Sequence, residues 1–142
     1  MKRVNVFVLA LVMALTSVVA FTSCGLKDDI EYAKVSENNR SSDGFYYDLY
    51  ENNTATVTGA DAVERKLVIP DKVDGYKVTA IGDSAFAGNE TLIYVIMGKN
   101  VKKIGMSAFS GCVALVKADL ANTVEVIGDS AFASCSLLCE VK

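Results

Sequence analysis

From Ile81 onward the apolar positions of this chain recur with a fixed period of 23 residues. The phrase Ile-Gly-Asp-Ser-Ala-Phe-Ala runs from Ile81 to Ala87 and returns unchanged from Ile127 to Ala133, with a looser copy from Ile104 to Ser110 between them. Phe86, Phe109 and Phe132 share one column; Leu92, Leu115 and Leu138 share another. Val95, Ala118 and Val141 align, as do Met97 with Leu120, and Val78 with Val101 and Val124. These columns are apolar throughout, so they face inward. The columns between them, such as Tyr94 with Lys117 and Ile96 with Asp119, are mixed and face outward. Self-similarity at this period predicts a solenoid in which each unit buries its apolar side against the next. Within a unit, Asp or Ser before Ala-Phe suits the cap of a short helical turn, ended by Gly88 or Gly111. Leu92 to Met97 and its counterparts then supply one short strand each, stacked in a parallel ladder with a spacing of about 4.8 Å.

Upstream the period changes to two. Phe45, Tyr47 and Leu49 alternate with polar positions as a half-buried strand requires, and Glu51-Asn52-Asn53 supplies turn chemistry before a returning strand at Thr54 to Gly59. Leu67-Val68-Ile69 is a third short strand ended by Pro70, and Lys77 to Ile81 follows an Asp74-Gly75 turn. Residues 44–80 are off the 23-residue spacing and are expected to form an N-terminal β cap over the open end of the stack. Residues 81–142 hold the repeats, at 81–103, 104–126 and an incomplete 127–142. Before the cap, residues 24–43 are polar and read as a flexible tether.

The first residues alter the picture of location. Met1-Lys2-Arg3 is a basic head, Val6 to Leu15 is an unbroken apolar run, and Thr22-Ser23-Cys24 closes the segment. This order reads as a secretory signal over residues 1–23. The rival, a retained spanning helix, would have to use a short stretch that carries Asn5, Thr16 and Ser17. The Cys24 context resembles a bacterial lipobox, with Phe21 where leucine is usual. That resemblance implies a diacylated Cys24 as first mature residue and membrane attachment through lipid. Lys27-Asp28-Asp29 resembles the surface-export signal of Bacteroidota lipoproteins; a solvated charged tether accounts for the same three residues.

Composition narrows the chemistry. The chain carries 14 basic and 17 acidic residues. Residues 1–23 hold two basic and no acidic ones, leaving 12 against 17 beyond them. A mildly acidic domain has no electrostatic footprint for nucleic acid. There is no histidine, which removes Ser-His and Cys-His catalysis and histidine metal ligation. The glycines are scattered singly, so no phosphate-cradling loop forms, and no calcium loop or cofactor motif is present. Ser84, Ser107 and Ser130 recur as turn residues. Cys112 and Cys135 share a column and are either two buried thiols or a cross-repeat disulfide, while Cys139 falls outward with Ile93 and Val116. The expectation is a protein that is not an enzyme and needs neither metal nor cofactor.

The motif carried by Leu92, Val95, Met97, Val101, Ile104, Gly105, Ala108, Phe109 and Cys112 resembles the BspA-like, or Treponema pallidum-type, leucine-rich repeat. The resemblance reaches back over Val68-Ile69-Pro70 and Gly75 to Gly82. Gly98 and Ala121 stand where the repeat has proline, which is expected to loosen the strand exits. What the resemblance implies is a leucine-rich-repeat solenoid, β-rich with short helical turns. It further implies a lipoprotein of the outer membrane or cell surface, acting as an adhesion module toward host matrix proteins or other bacteria. The candidate binding face is Ile93, Tyr94, Ile96, Val116, Lys117 and Asp119; lateral packing of the sheet would explain its apolar members equally well. Two other readings stay open. One is a short accessory module, or a relic of a longer repeat protein, that self-associates end to end through the strand at Val141. The other is capture of a surface glycan, for which Tyr94 is the only aromatic on the face.

Overall fold

The computed structural model of the protein describes residues 32–142. The expected signal peptide, Cys24 and the Lys27-Asp28-Asp29 segment lie outside the described residues. Eleven strands occur among those described: β1 (Lys34–Arg40), β2 (Phe45–Tyr50), β3 (Thr54–Ala60), β4 (Lys66–Val68), β5 (Lys72–Val73), β6 (Tyr76–Ile81), β7 (Tyr94–Ile96), β8 (Lys103–Ile104), β9 (Lys117–Asp119), β10 (Val126–Ile127) and β11 (Glu140–Val141). They form two sheets. Sheet A runs β1-β2-β3-β6-β8-β10, with β5 paired to β6, and sheet B runs β11-β9-β7-β4. The chain alternates between sheets from β4 onward, so each circuit is one coil of a solenoid.

The coils stack because identical columns meet. Ile81, Leu92, Val95, Val101, Ile104, Phe109, Leu115 and Ala118 are essentially inaccessible to solvent. The phenylalanine rings form a continuous ladder: Phe86 stacks on Phe109 at 5.4 Å and Phe109 on Phe132 at 5.3 Å, within 15° of parallel. Each ring thereby fills the space its neighbour leaves, at the separation offset aromatic pairs prefer. The columns thin out at β10 and β11. Ile127 is 50% and Val141 53% exposed, because among the described residues β10 and β11 each pair on one side only. The expectation that every column member is buried therefore holds for the first coils and fails in the last.

The helical turn expected after each Ile-Gly is absent; the described residues contain no helix. The backbone N–H groups of that segment are used between coils instead. Ser84, Phe86 and Gly88 donate to the carbonyls of Met106, Ala108 and Ser110 at 2.9, 2.8 and 2.7 Å, and Ser107, Phe109 and Gly111 repeat the pattern one coil on. A donor committed to the next coil cannot close an i to i−4 bond, so the segment stays a chain of tight turns. Ser84, Ser107 and Ser130 occupy its left-handed position with φ of 54°, 54° and 57°. The carboxylate of Asp83 also reaches across, accepting from the Met106 N–H at 2.7 Å. The capping residues of the motif thus bind coil to coil.

Close stacking explains the repeated glycine. A Cβ on Gly105 would lie 2.6 Å from the Asp83 nitrogen, and one on Gly128 would lie 2.6 Å from that of Met106. Gly98, expected to loosen its strand exit, is equally confined: a Cβ there would meet the Pro70 carbonyl oxygen at 2.7 Å. That exit is tight.

Two boundaries differ from expectation. The tether assigned to residues 24–43 contains β1, whose polar residues satisfy one another. The Asn38 N–H donates to Asp48 at 2.9 Å, Asn39 Nδ2 donates to the Tyr47 carbonyl, and Lys34 pairs with Asp48. Alternation of apolar and polar residues is the usual strand signal, and β1 is held by polar side chains, so that signal was missing. The second difference concerns residues 66–80, assigned to a cap outside the repeats. β4 pairs in parallel with β7, Leu67 opposite Val95 and Val68 opposite Ile96, and β6 pairs with β8 as Ile81 opposite Ile104. They form the first coil of the ladder. The extra residues that upset its spacing form the β5–β6 hairpin, where Lys72 faces Lys77 around the Asp74-Gly75 turn.

Before that coil, β2 packs Tyr47 against the core with its hydroxyl donating to Asp74 at 2.7 Å. Burial, and then the Asp74 carboxylate, hold the Tyr47 proton well above its ordinary range. Arg40 and Tyr46 converge on Asp61, with Arg40 Nε and the Tyr46 hydroxyl donating at 2.9 and 2.5 Å. Arg40 first, then Tyr46, keeps that carboxyl below the usual range.

Candidate functional site

The outward side of sheet B is built by the strand register. Lys66, Tyr94, Lys117 and Glu140 lie across from one another on β4, β7, β9 and β11, forming one row. Val68, Ile96 and Asp119 form the next row two residues along. Between the rows sits the buried column of Leu67, Val95 and Ala118. Period-two alternation therefore places every residue of the rows on the surface.

All six residues expected to form the face are brought to this region. Tyr94 is 45% exposed. Ile96, Lys117 and Asp119 are half-buried on the strands, and Ile93 and Val116 are half-buried at the strand entrances. There the Ile93 carbonyl accepts from both Val116 and Lys117, and the Ile93 N–H donates to the Arg65 carbonyl. The structure adds Lys66, Val68, Glu140 and Lys142. Val68 is 50% exposed and extends the apolar part of the face onto β4. Glu140 and Lys142 lie in the last, incomplete repeat, which had not been counted in the face; Lys66 and Val68 were missed because β4 had been placed outside the repeats. Aligning Leu67-Val68-Ile69-Pro70 with Val95-Ile96-Met97-Gly98 would have found them.

Charges on the face are partly paired. Glu140 contacts Lys142 at 2.7 Å and Lys117 at 3.3 Å, and these hydrogen bonds hold its carboxyl below the usual range. Tyr94, Ile96 and Val68 are thus flanked by charge on the β9 and β11 side and by Lys66 on the other. A depression of about 300 Å³ opens beside Ile96 and Asp119 where β7 and β9 end, and Lys99, Asn122 and Thr123 complete its wall. Lys99 is tied to Asp71 at 2.7 Å. The lysine depresses the Asp71 carboxyl.

No cluster of potential metal ligands occurs among the described residues. The three thiols there are separate: Cys112 and Cys135 donate to the carbonyls of Phe86 and Phe109 at 3.3 and 3.2 Å. Burial raises both, which makes them poor nucleophiles. Cys139 is exposed, as expected of its outward column.

A ladder of short parallel strands, with invariant apolar columns inside and a variable strand face outside, is a leucine-rich repeat solenoid. The chain belongs to the BspA-type leucine-rich repeat family: the model of the BspA type leucine rich repeat region matches residues 65–142 in 6 copies. That match begins at the first coil, in agreement with the pairing of β4 and β7. A search of curated proteins returned no match to the chain. Among solved structures, a leucine rich cell surface protein from Faecalibacterium prausnitzii is 28% identical with a TM-score of 0.63, over 78% of this chain and 30% of that one. A Treponema pallidum leucine rich repeat protein is 27% identical with a TM-score of 0.68, over 75% of this chain and 50% of that one. A leucine-rich repeat protein from Bacteroides capillosus shares the fold at 22% identity and a TM-score of 0.55, over 75% of this chain and 99% of that one. The chain thus spans half or less of the first two. Leucine-rich repeats in general are scaffolds for protein contacts.

Proposed function

We propose that this protein is a lipid-anchored, non-enzymatic surface protein that binds another protein through the outward side of sheet B. The observation that carries the reading is the patch of Val68, Tyr94 and Ile96, apolar residues aligned across β4 and β7 and bordered by Lys66, Lys117 and Asp119. A strand face in contact only with water carries few large apolar side chains in register, and an exposed tyrosine among charges has the composition of a contact centre. The outward face thereby gains the role that the inward columns cannot have. Adhesion to host matrix or to other bacteria is the form of binding this surface would serve. The F. prausnitzii relative is described as a cell surface protein, which supports the same placement here.

Anchoring rests on the sequence around Cys24. The described residues contain no helix long and apolar enough to cross a membrane. Metabolic labelling with a fatty acid is expected to mark the wild-type protein and to leave Cys24→Ala unlabelled; equal labelling of both overturns the anchor. Lys27, Asp28 and Asp29 would direct the anchored protein to the outer leaflet. Replacing them with alanine is then expected to remove surface protease sensitivity. The strands β2 and β3 would serve as the cap of the stack, a role supported by the Tyr47 hydroxyl donating to Asp74.

Binding is tested with the pair Tyr94→Ala and Lys117→Glu. Extracts of host matrix and of bacterial surfaces should yield a partner retained by wild type and lost by the folded double mutant. Unchanged retention would sink the assigned face. A second reading, end-to-end self-association, has its own observation: Val126, Ile127 and Val141 are each about half exposed on strands paired on one side. Sedimentation at high concentration decides it, and a strict monomer rejects it.

A further inference from the structure

The other margin of sheet B has a different character. β4 pairs only with β7 among the described strands. Arg65 and Ile69 turn their backbone groups toward β7, Arg65 accepting from Tyr94 at 2.9 Å and Ile69 donating to Ile96 at 2.9 Å. By the alternation of a strand, the N–H and C=O groups of Lys66 and Val68 point the opposite way. A groove of about 370 Å³ runs along that free side. Lys66, Leu67 and Val68 form one wall, Arg40, Ser42 to Phe45 and Ala60 to Ala62 the other, with Phe45, Ala60 and Leu67 as its apolar lining.

We propose that this groove binds an extended peptide segment of a partner protein, added as a further strand to β4. Unpaired strand edges recognise a peptide backbone whatever its sequence, so the edge itself defines an extended polypeptide as the occupant. The side-chain preference follows from the rest of the sheet. Lys117 has Glu140 as its cross-strand neighbour, at 3.3 Å. Lys66 is the lysine at the other end of the same row, and its neighbour on β7 is Tyr94; no ion pair to it occurs among the described residues. The added strand would place an acidic residue opposite Lys66, as Glu140 stands opposite Lys117. The next residue would turn inward toward Leu67 and the groove lining, as Val141 does opposite Ala118. Arg40 does not compete for the acid, because Asp61 already pairs with its guanidinium. The ligand class is therefore an extended segment reading acidic, apolar, then any residue. Lys66 and Val68 also border the outward face, but this site is read by backbone edge and groove.

The test uses the full chain carrying Cys24→Ala and a fluorescein-labelled, acetylated heptapeptide with a central Glu-Val-Thr between threonines. Anisotropy is expected to show saturable binding, weakened roughly tenfold when the peptide glutamate becomes lysine. Lys66→Glu should invert that preference, binding the lysine peptide better. N-methylation of the peptide amides that face β4 should abolish binding, whereas N-methylation of alternate amides should not. Lys66→Glu lies on the surface, and its folding is checked by an unchanged melting curve. Absence of saturable binding, an uninverted preference, or equal tolerance of both N-methylated peptides would each overturn the proposal. Because Tyr94→Ala leaves the groove intact, peptide binding that survives it while the protein partner is lost separates this site from the outward face.

Discussion

Residues 34–60 and residues 81–133 contribute to the same sheet but are fastened by different forces. The later segment is held by repetition: the same Ile, Phe and Leu columns in every coil, and backbone donors spent between coils. The earlier segment has one-off polar fasteners, with Tyr47 on Asp74, Arg40 and Tyr46 on Asp61, and Lys34 on Asp48. Apolar columns lose contacts on both sides when one member is removed. A polar fastener loses only its own bond, and an exposed one contributes little. The difference predicts a steep gradient of mutational cost along one continuous sheet.

The largest effects belong to the repeats. Phe109 is sandwiched between two rings and fully buried, so Phe109→Ala is expected to cost about 3–5 kcal/mol by chemical denaturation. Gly105→Val should be comparably damaging, since even its Cβ would overlap the backbone of Gly82 and Asp83. A Phe109→Ala loss below that of any single polar fastener would break the comparison. Tyr47→Phe comes next, at about 1 kcal/mol for the Asp74 hydrogen bond. Its pH signature is specific. The folded state holds the Tyr47 proton more tightly than the unfolded chain does, so this stabilisation is complete below the ordinary tyrosine range near pH ~10 and is lost as pH rises beyond it. The difference between wild type and Tyr47→Phe should therefore shrink in alkali; a constant difference contradicts the assignment. Arg40→Ala should have the smallest effect. Asp61 is held below its usual range in the fold, so its contribution is present above pH ~4 and is lost as the carboxylate protonates in acid. The mutant should lack that part of the acid dependence. Thiol reactivity offers a gentler check on the columns. In the native protein Cys139 should react with a thiol reagent ahead of Cys135, and Cys112 last, following their exposure.

How much of this could be read in the sequence divides along the same line. Repetition leaves a trace, because Phe86, Phe109 and Phe132 must coincide if they are to stack. The period, the inward columns and the outward rows were legible for that reason. The turns were not, since Asp83 and Ser84 look like caps of a helix. Only the structure shows their N–H and carboxylate groups directed at the next coil. β1 was unreadable because Asn38, Asn39 and Lys34 satisfy a strand through side-chain bonds that no alternation reveals. The first coil was obscured by the β5–β6 hairpin, and with it Lys66, Val68 and the groove they line were missed. Irregular features are specified by single contacts, and a single contact leaves no pattern.

The central claim is that the outward side of sheet B, and not the outward side of sheet A, meets the partner. A photo-reactive residue placed at Tyr94 tests it against the same residue placed at Lys103, an exposed position on β8 of sheet A. With matched folding and the same surface extracts, a discrete cross-linked product is predicted from position 94 and none from position 103. Equal cross-linking at both positions, or a product from 103 alone, would contradict the account.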